Sequence, residues 1–176
     1  MDREQKMDLK ERLEDAVLAR RNLNHYSIYD LGAGVVGKRC HDEDKARNEY
    51  HYGTFLKEQG VAVPKMHEIV QYTERILKGE VITWFIIMER IEGGNISSLR
   101  NAQRREAERQ YRRELEKVLD LGICPVDSDY GGNSLFCEES DKLYLIDFEC
   151  WHNPKNREEL NQFYRRIRRD FLIFKS

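Results

Sequence analysis

The stretch from 121 to 151 places the strongest constraint on what this chain can fold into. It contains a short apolar run, Leu143–Ile146, whose length and composition predict a buried strand. The charged Asp147 follows at once, where such a strand must end. A polar segment over 138–141 precedes the run and predicts a turn, so that the chain on either side of it forms a small hairpin. The ends of that hairpin would bring Asn133 and Asp147 together.

Two oxygen-bearing side chains at the ends of one hairpin suit a hard cation. Carboxylate and amide oxygens are ligands that magnesium takes in proteins, commonly beside phosphate groups. Asn133 and Asp147 are therefore the predicted metal ligands. The alternative is that both residues only form turns, because Asn and Asp are common turn residues. The spacing alone does not decide between the two interpretations.

Length and composition leave room for one domain or two small lobes with a hydrophobic core. The chain has 176 residues, of which 40% are hydrophobic and 35% are charged, and its net charge is −2. With so small a charge, no overall field draws it onto nucleic acid or a membrane. The start of the chain is charged throughout and does not resemble a signal peptide, and no apolar run reaches the roughly 20 residues of a membrane span. We therefore expect a cytoplasmic protein.

The four cysteines are scattered and form no C-x-x-C pair. Cys40-His41 and Cys150-Trp-His152 together offer four zinc ligands, but at an irregular spacing that is a weak signal for a metal site. Free thiols in a reducing compartment are the interpretation that the sequence favours.

The first part of the chain predicts an N-terminal helix followed by strands and a second helix. Apolar periodicity predicts helices over 3–23 and 42–59, separated by two strands that turn at Gly32-Ala-Gly34. Glycines at a strand turn let the backbone approach phosphate oxygens, although a plain hairpin turn is the alternative. Glu49 lies in the apolar stripe of the second helix and needs a cation, and Lys38 on the preceding strand is the predicted partner.

The middle of the chain predicts a central strand, a break and a long helix. Residues 81–88 form the most apolar run and predict a buried strand. Two glycines within 89–94 indicate a hinge between lobes or only a loop. Ser97 or Ser98 is predicted to cap the next helix, and Gly122 is predicted to end it.

The last predicted helix is basic. Residues 155–175 carry seven basic and three acidic residues. This face can meet RNA or another acidic partner, or it can be an ordinary solvated helix face. The arginines that would form the RNA contact are Arg165, Arg166, Arg168 and Arg169.

Taken in this order, the pieces resemble a reduced protein-kinase-like fold. The similarity is strongest to small atypical kinases of the RIO type and the KEOPS-complex lineage, and to aminoglycoside phosphotransferases. Residues 49–64 resemble helix C and its exit, residues 85–93 resemble the strand and hinge that receive adenine, and residues 122–148 resemble the catalytic loop and the metal-binding segment. The resemblance covers roughly residues 25–175.

The resemblance implies an α+β, bilobal fold with a small antiparallel sheet, helix C and a truncated, mainly helical C-lobe. The implied organisation is an N-terminal helix over 1–24 and an N-lobe-like sheet with one helix over 25–92. The C-lobe, over 93–176, carries the catalytic-loop-like segment and the metal-binding hairpin.

The resemblance also implies ATP and magnesium as cofactors, with transfer of the γ-phosphoryl group to a hydroxyl of a protein or a small molecule. Lys38 would hold the α- and β-phosphates and pair with Glu49, and Asp127 would take the acceptor proton. Magnesium would bind Asn133 and Asp147. The implied catalytic residues are Lys38, Glu49, Asp127 and Asp129. The implied nucleotide-binding residues are Gly32, Gly34, Lys38, Met88, Glu89 and Ile91.

The catalytic loop departs from the family's pattern. The family places His two residues before the catalytic Asp and Asn five residues after it. Here Pro125 replaces the His before Asp127, and Asn133 comes one residue late. Counting back from Asn133, the base position falls on Ser128, which is followed by Asp129. Either the loop carries an insertion or the base is missing.

A second departure follows the metal-binding segment. Glu149 stands where most kinases have a glycine, and the short chain beyond it leaves no room for a long activation segment. These departures keep an alternative function open, which is a pseudokinase-like scaffold or binding module without catalysis.

Overall fold

The computed structural model describes residues 3–19, 27–40, 42–76, 79–126 and 132–172. In chain order its elements are α1 (Arg3–Leu18), β1 (Ile28–Gly32), β2 (Val35–Cys40), α2 (Glu43–Glu58), β3 (Met66–Ile76), β4 (Gly79–Glu89), a 3-10 turn (Ile96–Ser98), α3 (Asn101–Asp120), β5 (Ser134–Cys137), β6 (Lys142–Leu145) and α4 (Arg157–Leu172).

The strands form two antiparallel sheets. One has four strands in the order β1-β2-β4-β3, and the other is the β5–β6 hairpin. The chain divides into two compact units, of which the first comprises Met1–His51 with Lys65–Arg90 and the second comprises Tyr52–Pro64 with Ile91–Ser176. The first unit therefore contains the larger sheet, and the second contains the hairpin with α3 and α4.

Most of the predicted elements are present, with bounds that differ by a few residues. β1 and β2 flank the predicted turn at 32–34, and α2 lies within the predicted range 42–59. Gly60 follows α2 with a φ of +75°, and the backbone N–H groups of Gly60 and Val61 bond back to the last turn of the helix. α1 ends at Leu18, and residues 20–23 of its predicted range lie outside the described residues.

Strand β4 is the centre of the first unit, and its residues 85–88 are buried on both faces, whereas Val81 and Ile82 of the predicted buried run are 38% and 56% exposed. Phe85 and Ile87 pack with residues of α1 in one apolar cluster, whereas Ile86 and Met88 pack with residues of β2 and α2 in another. Alternating side chains of a strand point to opposite faces, so two covered faces require a continuous apolar run. This explains why the run lacks the polar alternation of a half-exposed strand.

The approach of α1 to the sheet depends on one glycine. A Cβ added at Gly37 of β2 would lie 2.9 Å from Cδ1 of Leu13 and 3.6 Å from Cδ1 of Ile87. Leu13 is fully buried. The glycine therefore makes room for the helix, and its role in this position is packing.

The predicted cap at Ser97 or Ser98 is wrong. Both serines lie in the 3-10 turn, which is capped by Asn95 through a 2.9 Å bond from the Ser97 N–H to Oδ1. Leu99 is extended after the turn, and α3 begins only at Asn101 with no side-chain cap bond. Asn is as favourable as Ser at such a cap, and Asn95 precedes both serines in the chain.

Helix α3 anchors the hairpin of the second unit through Gln110. The amide Nε2 donates to the carbonyl of Asp141 at 2.9 Å, and Oε1 accepts from the N–H of Leu143, also at 2.9 Å. The side chain is 9% exposed. One buried amide thus satisfies a donor and an acceptor at the start of β6.

The segment that leaves α2 lies between α3 and β6. The N–H of Ala62 donates to Oε2 of Glu114 at 3.0 Å, and its carbonyl accepts from the N–H of Leu145 at 2.8 Å. Glu114 is 3% exposed and is paired with Lys117 at 2.9 Å. We call residues 60–64 the strap. It is held on both sides by elements of its own unit.

β5 is bordered by a close backbone contact. Gly94 and Phe136 exchange two hydrogen bonds, of 3.0 Å and 2.8 Å. A Cβ added at the neighbouring Gly93 would lie 2.8 Å from the carbonyl oxygen of Phe136, whereas one at Gly94 would meet only Oγ of Ser98, at 3.1 Å. A side chain at position 93 would therefore collide with rigid backbone, whereas one at position 94 would meet only a side chain that can move.

Helix α4 is tied to the end of α3 by one short bond. The hydroxyl of Tyr164 donates to Oδ1 of Asp120 at 2.5 Å. Burial, followed by this bond, raises the pKa of Tyr164 to about 12. Among the described residues, no helix combines the length and the apolar character that crossing a membrane requires.

Candidate functional site

The first unit contains a buried ion pair between its central sheet and α2. Nζ of Lys38, on β2, lies 2.6 Å from Oε2 of Glu49, on α2. The side chains are 15% and 2% exposed. A carboxylate at that depth needs a cation because water no longer solvates it. The pairing predicted from the apolar stripe is therefore present in the structure.

The glycine turn before Lys38 has a fixed and unusual backbone. Residues 32–34 all have positive φ, of +76°, +48° and +72°, including the alanine in the middle. Nε of Arg12 donates to the carbonyl of Leu31 at 2.7 Å, and the N–H of Arg90 donates to the carbonyl of Gly34 at 2.8 Å. Arg90 also pairs with Asp30 at 2.9 Å. These contacts hold the turn from both sides.

Arg12 and Arg90 were not predicted from the sequence. Both bind carbonyls that flank the turn, and the N–H of Gly32 donates to Oδ1 of Asp30 at 2.9 Å. The chain has 30 lysines and arginines, and nothing in the spacing of these two marks them. Only the folded sheet shows that they border the turn.

The predicted adenine-binding residues lie at the end of β4 and just beyond it. Met88 is buried and Glu89 is half-buried. The N–H of Glu89 donates to the carbonyl of Lys65 at 2.8 Å, and its carboxylate accepts from the N–H of Lys65 at 2.9 Å. Ile91 begins the second unit. That this backbone binds adenine stays a prediction.

The second unit brings together the two ends of the β5–β6 hairpin. Ser134 pairs with Leu145 in register, and the N–H of Ile146 donates to the carbonyl of Asn133 at 3.0 Å. Asp147 follows directly with a φ of +68°, a conformation that Asp and Asn tolerate better than most residues. Asn133 and Asp147 therefore lie at the same end of the hairpin, as the sequence predicted.

Glu149 is a further candidate metal ligand. The sequence analysis noted it only because most kinases have a glycine at this position. Carboxylate oxygens of Asp147 and Glu149 lie within 4.8 Å of each other. Both side chains are half-buried. Two carboxylates at the end of the hairpin that carries Asn133 offer oxygen donors, which fit magnesium better than a softer metal.

The remaining predicted catalytic residues cannot be placed. Asp127 and Asp129 lie outside the described residues. The described chain stops at Val126, after the buried Cys124 and Pro125, and resumes at Gly132. The identity of the base stays a prediction.

Comparison with solved structures finds similarity to a viral kinase. The chain is similar to the structure of the Cydia pomonella Granulovirus kinase, PK-1, with a TM-score of 0.55 and 16% sequence identity. The match covers 83% of this chain and 57% of the viral kinase, so the chain spans little more than half of that protein's length. No family model and no curated protein matches the sequence.

The similarity shows the fold alone, because the identity is low. The chain has an α+β, reduced kinase-like fold with a small antiparallel sheet and four α-helices among the described residues. The predicted fold class is confirmed. The nearer similarity to RIO-type or KEOPS-complex kinases has no further support and stays a prediction.

Proposed function

We propose that the chain is an ATP- and magnesium-dependent phosphotransferase that transfers the γ-phosphoryl group to a hydroxyl of a protein or a small molecule. The observation that carries the proposal is the Lys38–Glu49 pair at 2.6 Å, with a carboxylate that is only 2% exposed. Such a pair is costly to keep in a fold for packing alone. In kinases it fixes the lysine that binds phosphate.

The first unit would bind the nucleotide. Lys38 would contact the α- and β-phosphates as a point charge, oriented by Glu49. The glycines of the turn at 32–34, Gly32 and Gly34, would let the backbone approach phosphate oxygens. Met88, Glu89 and Ile91 would present backbone groups to adenine.

The second unit would hold the metal. Asn133 and Asp147, joined by Glu149, would bind magnesium through oxygen atoms. Magnesium would neutralise charge on the phosphates while the phosphoryl group moves.

Phosphoryl transfer requires the chain mainly to position the reacting groups. The acceptor oxygen forms a bond to the γ-phosphorus as the bond to the bridging β–γ oxygen breaks, and ADP leaves. Asp127, or Asp129 if the loop carries an insertion, would receive the acceptor's proton. Phosphoryl transfer of this kind depends mainly on charge stabilisation.

A thermal-shift titration with ATP, with and without magnesium, tests the proposal. A ligand that binds only the folded state stabilises it by about 2.7 kcal/mol at a hundredfold excess over its dissociation constant. We expect a magnesium-dependent shift for the wild-type protein and its loss in Asp147→Asn. The matched control is Asp141→Asn, which makes the same change at another positive-φ position, φ +51°, in the turn between β5 and β6.

Two outcomes would contradict the proposal. One is the absence of any shift at millimolar ATP with magnesium, which would favour the scaffold or binding module. The other is an equal loss of the shift in both Asp→Asn variants, which would point to damage to the hairpin. ATP turnover, measured on the same variants, reports on the chemical step.

A further inference from the structure

The second unit contains a cluster of three different metal-binding side chains apart from the candidate magnesium site. Cys124, His152 and Glu159 offer ligand atoms that all lie within 4.8 Å of one another. Thiolate, imidazole and carboxylate are the three protein ligands of zinc. In a tetrahedral zinc site, neighbouring ligand atoms lie about 3.3 to 3.7 Å apart, as follows from the metal–ligand bond lengths. Movements of about an ångström would suffice to reach that geometry.

The backbone places two of the three ligands directly opposite each other. The N–H of Cys124 donates to the carbonyl of His152 at 2.8 Å, and the N–H of His152 donates to the carbonyl of Cys124 at 3.4 Å. Residues that exchange both bonds in an antiparallel bridge direct their side chains to the same face. Trp151, which is 2% exposed and packs edge-on against Phe148 with 4.9 Å between the ring centroids, anchors the segment next to His152.

Each ring nitrogen of His152 lies near an oxygen atom. Nδ1 of His152 lies 3.5 Å from the carbonyl of Cys150, and Nε2 lies 3.0 Å from Oε1 of Glu159. Histidines that bind metals commonly donate one ring N–H to a backbone carbonyl and use the other nitrogen as the ligand. A proton on Nδ1 would leave Nε2 and the nearby carboxylate oxygen to face the metal together.

Hydrogen bonds also orient Glu159. Its second oxygen, Oε2, accepts from the N–H of Lys155 at 2.7 Å, and its own N–H donates to Oδ1 of Asn156 at 3.0 Å. These bonds orient the carboxylate at the first turn of α4.

A role for Cys124 as a catalytic nucleophile does not fit its surroundings. The thiol is fully buried, and burial, together with the charge of Glu159, raises its pKa. A reactive cysteine needs access and a lowered pKa. By contrast, His152 and Glu159 keep 38% and 25% of their side chains exposed, which leaves a path for an ion from solvent.

We propose that Cys124, His152 and Glu159 form a zinc site with a water or another small ligand in the fourth position. A thiolate and a carboxylate balance the charge of Zn²⁺, so the occupied site is neutral. When the metal binds, the thiol proton leaves to solvent. The site joins the segment that follows α3 to the start of α4.

Cobalt titration of the metal-stripped protein, without nucleotide, tests this site. Co²⁺ replaces zinc in such sites and gives a charge-transfer absorption band when a thiolate binds it. We expect one equivalent of Co²⁺ to bind and to produce that band. Equimolar zinc should then displace the bound cobalt. Cys124→Ser should abolish the band, and Glu159→Gln should weaken cobalt binding at least tenfold while keeping the fold. Cys137→Ser is the matched control in the same unit and should change nothing.

The test does not depend on every variant remaining folded. If Cys124→Ser unfolds, Glu159→Gln still reports on the site, because its side chain lies toward solvent. The proposal is overturned if the wild-type protein shows no thiolate band at stoichiometric cobalt, or if the band survives in Cys124→Ser. It is also overturned if Cys137→Ser removes the band. None of these results depends on ATP binding, so they are separate from the test of phosphotransfer.

Discussion

Replacing Lys38 with methionine should destabilise the protein more than any change to an exposed ion pair. The substitution keeps a long side chain but leaves the carboxylate of Glu49 buried, at 2% exposure, without its ammonium partner. Breaking a buried pair in this way costs about 3 to 5 kcal/mol. Because Lys38 is 15% exposed, we expect the lower end, about 3 kcal/mol. For a chain of this size that corresponds to a fall in Tm of about 6 to 12 °C.

Urea unfolding of a small set of variants measures the effect. Arg47→Met is the matched control, since Arg47 pairs with Glu43 at 2.6 Å but their side chains are 64% and 43% exposed. Its cost should stay within about 0.5 kcal/mol. The double variant Lys38→Met with Glu49→Met replaces both charges by apolar side chains and should recover most of the loss.

Two results would refute this reasoning. If Lys38→Met costs no more than Arg47→Met, the carboxylate of Glu49 does not depend on Lys38. If the double variant is no more stable than Lys38→Met alone, the loss comes from packing and not from an unpaired charge. In either case, the Lys38–Glu49 pair would no longer support a phosphate-binding role for Lys38.

Three further predictions concern the second unit. Between pH 10 and about 12, the wild-type protein should lose stability more steeply than Tyr164→Phe, as urea unfolding at each pH would show. Gly93→Ala should cost about 2 kcal/mol more than Gly94→Ala in the same assay, because its Cβ meets backbone at 2.8 Å and not a movable side chain. Gln110→Leu should cost about 2 kcal/mol by leaving a buried donor and acceptor unpaired, and hydrogen exchange should show faster exchange at the amide of Leu143.

The sign of the tyrosine prediction follows from where its proton is lost. Below pH 10 the phenol of Tyr164 is protonated in both states, whereas above it the unfolded chain loses the proton while the folded chain keeps it until about pH 12. Deprotonation therefore favours the unfolded state in that window. Parallel pH curves for the two proteins would contradict the raised pKa. Equal costs for the two glycine variants, or unchanged exchange after Gln110→Leu, would contradict the corresponding contacts.

Features that depend on neighbours in the sequence could be predicted well. The pairing of Lys38 with Glu49 followed from a helical stripe and the strand just before it, because periodicity fixes which side of each element faces the core. The hairpin that joins Asn133 to Asp147 followed from a polar turn between two short apolar segments. In both cases the partners are close in the chain and their geometry is set locally.

Features that depend on distant parts of the chain could not be predicted. The sequence offered Cys40, His41, Cys150 and His152 as possible zinc ligands, whereas the structure groups His152 with Cys124 and Glu159, and the backbone bridge between Cys124 and His152 leaves no pattern in the sequence. The start of α3 was misplaced because Asn95 caps a short turn first. Competing caps of similar strength differ by only a few tenths of a kcal/mol, about the limit of what composition can resolve.

The strap and the hairpin differ in how soon they can form during folding. The hairpin closes between partners that are near in sequence, and hairpins of this kind form within about 1 to 10 μs. The strap must wait for Ala62 to find Glu114, which is 52 residues away. The longer closure adds only about 1 kcal/mol of entropy, so it barely affects stability. It bears on the order of folding instead: the end of the hairpin that carries Asn133 and Asp147 can form before the strap has docked.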